Sequence, residues 1–127
     1  MPNQADRNGN DARLPLQVFQ GYLVVSVQIE LSLHVLERFK GDLLQRIREV
    51  GAKAVIVDMQ EVAVLDPFEY EMLIQVGHMA SVMGAELILA GMRPGVVASL
   101  VDGHINTEAL RTTLSVDDAL ALIGVVG

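Results

Sequence analysis

Two carboxylates, Asp58 and Asp66, stand where a side chain could do chemistry. Asp58 closes the apolar run that begins at Ala54, at what would be the C-terminal end of a buried parallel strand. Open α/β sheets place their ligands at such ends, although the same aspartate could simply hydrogen-bond the following loop. Asp66 precedes Pro67, and this pair reads as the N-cap and first residue of a helix. A capping carboxylate is worth about 1 kcal/mol to a helix. The same group can also be read by a partner, and the two uses are compatible. Glu69 and Glu71 follow, flanking Tyr70, on what the spacing suggests is the solvent side of that helix. A cluster of Asp66, Glu69 and Glu71 would draw a basic groove into fast, salt-sensitive association, or serve only as a solvated face that favours the helix dipole.

Catalysis finds no foothold beside these carboxylates. The chain has no Gly-x-Ser-x-Gly, no P-loop and no dinucleotide fingerprint. It has no cysteine, so disulfides, thiolate metal sites and cysteine nucleophiles are all excluded. His34, His78 and His104 are scattered and lack the spacing of a metal site. The expectation is a protein that is not an enzyme, with no metal and no cofactor.

The elements that must position these residues can be read from periodicity and caps. Leu16–Phe19 and Tyr22–Gln28 are extended segments about Gln20-Gly21, a tight hairpin. Val35, Leu36, Phe39, Leu43, Leu44, Ile47 and Val50 recur at helical spacing with charges between them, and Gly51 ends that helix. Ala54–Met59 suits a strand buried on both faces, and Glu86–Ala90 is another strand. The helix opened by Asp66-Pro67 is expected to bury Phe68, Met72, Leu73, Val76, Met79, Ala80 and Met83, and to stop at Gly84. Met59, Met72, Met79, Met83 and Met92 read as core filler. A helix over Arg93–Asp102, an extended piece near Leu110–Thr113 and a last helix at Val116–Ile123, capped by Ser115, complete the chain. The order ββαβαβαβα implies an α/β fold: a mixed, mostly parallel sheet with an N-terminal hairpin and about four helices.

With 127 residues the chain is expected to form one domain, residues 14–127, behind a polar, disordered tail over residues 1–13. The net charge is −7, from nine Lys and Arg against sixteen Asp and Glu, which argues against nucleic acid as a partner. No apolar run nears the roughly 20 residues of a membrane span, and the polar start lacks a secretory signal, so a cytoplasmic protein is expected.

Three segments together, Val55-Ile56-Val57-Asp58-Met59, Val64-Leu65-Asp66-Pro67-Phe68 and Met83-Gly84-Ala85-Glu86-Leu87-Ile88-Leu89-Ala90-Gly91-Met92-Arg93-Pro94, resemble STAS domains of the anti-anti-sigma kind. The similarity runs from about Leu16 to Ile123, and its nearest form is the stressosome scaffold antagonist. The resemblance implies the STAS fold and a regulatory role in partner switching. Its implied partners are a switch protein kinase or anti-sigma factor of ATPase fold, STAS sensor proteins, and further copies of the chain. It implies docking through Asp58, Asp66, Pro67, Phe68, Glu69 and Tyr70. In the family the residue after the second aspartate is a Ser or Thr that the kinase phosphorylates. Here it is Pro67, which has no hydroxyl, so that switch is missing. Ser99 matches a second phosphorylatable position in the third helix, and is otherwise a small residue packing that helix. His104 stands where the family has a glycine, with Gly103 one place earlier. A different class of function, a STAS module holding a nucleotide or lipid at the strand ends, is the alternative.

Overall fold

The structure, a computed structural model, describes residues 13–124. The tail expected over residues 1–13 therefore lies outside the described residues, apart from Arg13, which reaches to within 3.9 Å of Asp42.

Strands β1 (Leu16–Phe19) and β2 (Tyr22–Ser26) form an antiparallel hairpin in which Phe19 faces Tyr22. Both turn residues have positive φ, 51° at Gln20 and 84° at Gly21. That is the primed geometry whose twist matches the flanking strands. Glycine adopts it freely, whereas for a glutamine the left-handed conformation is costly. Gln20→Asn, a residue that tolerates that region, is expected to raise stability by about 0.5–1 kcal/mol. Urea unfolding of the two proteins checks this, with the midpoint moving up at unchanged slope.

Helix α1 (Leu33–Val50) starts at Ser32, whose hydroxyl accepts from the Val35 amide at 3.2 Å. It buries Val35, Leu36, Phe39, Leu43 and Ile47, leaves a charged outer face, and ends at Gly51 in the left-handed conformation. Strand β3 (Ala54–Asp58) is covered on both faces, as its unbroken apolar run predicts. Helix α2 (Pro67–Val82), strand β4 (Glu86–Ala90), helix α3 (Pro94–Asp102), strand β5 (Arg111–Thr113) and helix α4 (Val116–Leu122) follow.

The strands lie in the order β1-β2-β3-β4-β5, antiparallel only in the first pair. Parallel strands added in sequence by right-handed crossovers throw their helices to one side. Accordingly Val25, Val55, Val57, Leu87 and Leu89 join α1, α2 and the inner residues of α3 in one core. Among the described residues the opposite face is covered by α4, where Ala119 meets Ile56, Ile88 and Ala90. The Tyr22 hydroxyl donates to the Ile123 carbonyl at 3.3 Å and ties the end of that helix back to β2.

Helix α2 departs from expectation in its facing. It buries Tyr70, Leu73, Ile74, Val76, Gly77 and Ala80, while Phe68 and Met79 point outward. Met79 is thus not core filler, although Met59 is buried and Met72, Met83 and Met92 pack against the core. The reason is a contact distant in sequence. A side chain at Gly77 would lie 2.4 Å from Leu110, so the glycine is where the chain entering β5 presses against α2. That contact turns the Tyr70–Gly77–Ala80 side inward.

Candidate partner-docking surface

The C-terminal ends of β2, β3 and β4 bring three loops together. Asp58 sits at the end of β3, half-buried, and its Oδ1 accepts from the Gln60 amide at 3.0 Å. The side chain thus holds the loop that leaves its own strand. Arg93 fastens the same loop from the other side. Its Nε donates to the Gln60 carbonyl at 2.8 Å, and its guanidinium stands 4.0 Å from Glu61. Gly91 makes this approach possible, because a Cβ there would lie 2.8 Å from the Gln60 side chain and its φ is +75°.

The loop delivers the chain to α2 through a complete capping box. Asp66 Oδ1 accepts from the Glu69 amide at 2.8 Å, and Glu69 Oε1 accepts from the Asp66 amide at 3.0 Å. Pro67 occupies the first turn, where its missing N–H costs nothing. Partial burial holds the Glu69 carboxyl above its ordinary pKa; the hydrogen bond from Asp66 opposes this, and the charges of Asp66 and Glu30 add to it. Phe68 is 75% exposed and Val64 79% exposed, so two large apolar side chains stand in solvent on either side of the cap.

Between this segment and the loop after β2 runs a groove of about 450 Å³. Ile29, Glu30, Glu61, Val64, Asp66 and Glu69 give it an apolar floor and an acidic rim. Four of these six are carboxylates, so the groove suits a segment that carries an apolar residue beside Lys or Arg. The wall from Ile29 and Glu30, and the brace from Arg93, were not among the residues the sequence singled out. An apolar residue stranded between the hairpin and α1, as Ile29 is, was the available signal.

Of the residues expected to dock a partner, Asp66, Phe68 and Glu69 share this surface, with Pro67 half-buried beneath it. Asp58 lies behind the loop and positions it. Tyr70 is a correction. It is fully buried, its hydroxyl donates to the Thr107 carbonyl at 3.3 Å, and burial followed by the Glu71 charge pushes its phenol pKa up. The residue flanked by two glutamates points the other way because one helical step carries it under α2. Ser99 is exposed on α3, whose C-terminal turn abuts the cap. There a Cβ on Gly103 would meet Pro67 at 3.4 Å. His104 takes the left-handed conformation, φ 60°, at the position where the sequence departs from the glycine of its resemblance.

A sequence model of the STAS domain matches residues 13–119. The chain belongs to the STAS domain family. Solved STAS structures superpose over nearly the whole domain. A serine-to-glutamate variant of RsbS from Moorella thermoacetica is 25% identical with a TM-score of 0.73, covering 89% of this chain and 98% of that one. A chain from the molecular architecture of the stressosome, a signal integration and transduction hub, is 27% identical with a TM-score of 0.69, covering 88% and 100%. A sulfate transporter family protein from Wolinella succinogenes is 25% identical with a TM-score of 0.68, covering 84% and 87%. No curated protein sequence matches the chain. STAS domains thus flank this one on two sides, regulatory antagonists and transporters; among its own described residues no helix is long and apolar enough to cross a membrane.

Proposed function

We propose that this STAS domain is a cytoplasmic anti-sigma factor antagonist or stressosome-type scaffold that works by docking protein partners, not by catalysis. The observation that carries the reading is the exposed Phe68 beside the acidic groove at the start of α2. A large aromatic in solvent, next to carboxylates and mounted on a braced loop, has the makings of a binding hot spot. The partner is a switch kinase or anti-sigma factor of ATPase fold that offers a basic, partly apolar segment.

Pro67 makes this docking constitutive with respect to the family's usual switch. A phosphate on that position would add roughly two negative charges to a helix N-terminus, and no hydroxyl is present to accept it. A STAS domain with this proline stays competent to bind when a kinase is active, and Ser99, on the adjoining helix, is the remaining hydroxyl where modification would be felt.

Affinity capture from native extract tests the reading. Bait carrying Asp66→Asn keeps a good helix cap while losing the charge, so it separates recognition from capping. Recovery of an ATPase-fold partner by the native protein, weakened several-fold by Asp66→Asn and raised salt, is the expected result. A further variant, Pro67→Ser, is expected to gain phosphorylation from a recovered kinase. Thermal stabilisation by nucleotides or lipids, with no protein captured by folded bait, would instead favour a small-ligand STAS module.

A further inference from the structure

At the end of the sheet opposite the docking loops, where β3, β4 and β5 begin, a depression of about 460 Å³ opens under the last turns of α2. That volume suits a small organic molecule. Ala85, Leu87 and Leu110 give it an apolar floor, and Lys53, His78, Ser81 and Arg111 stand around it. The topology gathers these four from distant parts of the chain. Lys53 precedes β3, and its carbonyl accepts from the Glu86 amide at 3.0 Å, which sets the starts of β3 and β4 side by side. Arg111 opens β5 next to β4, and its Nε donates to the Glu86 carboxylate at 2.8 Å. His78 and Ser81, three residues apart, share one side of α2.

Two features leave these basic groups without a structural duty. In a chain of net charge −7 a cation readily finds a carboxylate, and Arg13, Lys40, Arg46 and Arg93 each stand within 4.0 Å of one. Among the described residues Lys53 and His78 have no such partner, and the one carboxylate lining the depression, Glu86, is taken by Arg111. Nor does the end of α2 need them. The carbonyls of Met79, Ala80 and Ser81 already accept from the amides of Met83, Ala85 and Gly84, so the backbone caps its own helix. We propose that the depression binds a small organic phosphate, an ester whose apolar body lies on Leu87 and Leu110. Lys53 supplies charge, His78 and Ser81 donate to the phosphate oxygens, and Arg111 offers its terminal nitrogens while its Nε stays on Glu86. A phosphate fits this set because it brings close to two negative charges and three acceptor oxygens to donors arriving from four sides.

This site stands apart from partner docking, because His78 and Ser81 lie about 15 Å or more along the helix from Phe68. Loss of phosphate binding with partner capture intact, or the reverse, therefore reads as failure of one without the other. Amide-resolved NMR of the isotope-labelled chain, titrated with phenyl phosphate, tests the site. The amides of Lys53, Ser81, Gly84 and Arg111 are expected to move saturably, with a submillimolar dissociation constant. Inorganic phosphate is expected to move the same amides and to bind more weakly, for want of an apolar body. Lys53→Gln and His78→Gln, both at exposed positions, are expected to weaken phenyl phosphate at least threefold singly and at least tenfold together, with the rest of the spectrum unchanged. Lys40→Gln, which removes the same charge from α1, is expected to leave binding as it was. Shifts that never saturate, or that scatter over the whole surface, overturn the proposal. So does a loss on Lys40→Gln equal to that on Lys53→Gln, or benzoate bound as tightly as phenyl phosphate.

Discussion

Phe68→Ala is expected to lower affinity for the captured partner by about 30-fold or more while leaving the fold unmoved. Truncation of an exposed aromatic at the centre of an interface costs on the order of 2 kcal/mol of binding or more. The same truncation costs folding little, because three-quarters of the side chain is already in water and a surface change of this kind stays within about 0.5 kcal/mol. Isothermal titration with the purified partner and urea unfolding, run on the same two proteins, separate the terms. An affinity that drops less than threefold would remove Phe68 from the docking surface.

Tyr70→Ala, two residues on, is expected to do the reverse. Tyr70 is fully buried, and removal of a large aromatic from a core costs about 3–5 kcal/mol. Against a typical domain stability of roughly 5–15 kcal/mol that is about a fifth of the total or more. Tyr70→Phe isolates the hydroxyl. It keeps the ring and removes the bond to the Thr107 carbonyl, so about 1 kcal/mol is expected to go. Urea midpoints report both, and binding by folded Tyr70→Phe should match the native protein. A Tyr70→Ala protein as stable as the parent would mean that the ring does not hold the segment before β5 against α2.

This pair of aromatics shows where sequence reading reached its limit. The element borders were legible because their chemistry is local: Gly51 ends α1, Asp66-Pro67 opens α2, and Ser115 opens α4. The sheet was legible from its apolar runs, and the family from the aspartates and the Gly-Ala-x-Leu-x-Leu-Ala-Gly-x-x-Pro stretch. The facing of α2 was not. When apolar residues occupy every side of a helix, periodicity no longer names the buried one, so Phe68 was assigned inward and Tyr70 outward. Only a distant contact, Leu110 against Gly77, settles the rotation. The groove was half legible for a related reason. Asp66 and Glu69 announce themselves as a cap, but Ile29 and Glu30 join them through sheet topology, which brings the end of β2 beside the end of β3. Asp58 was read as either ligand or loop anchor, and its bond to the Gln60 amide shows that it holds the loop.

The two faces of the sheet are unequally guarded. Among the described residues three helices seal one side, while seven residues of α4 cover the other. Local excursions from a native state follow the cheapest boundary, where the fewest apolar contacts must part. Among the described residues that boundary runs beneath α4, where local opening is expected first. Each such opening would bare Ile56 and Ile88, on the face away from the cap of α2. The surface proposed for partner docking is therefore expected to keep its shape through such openings, and proteolytic cleavage is expected to begin from the opposite face.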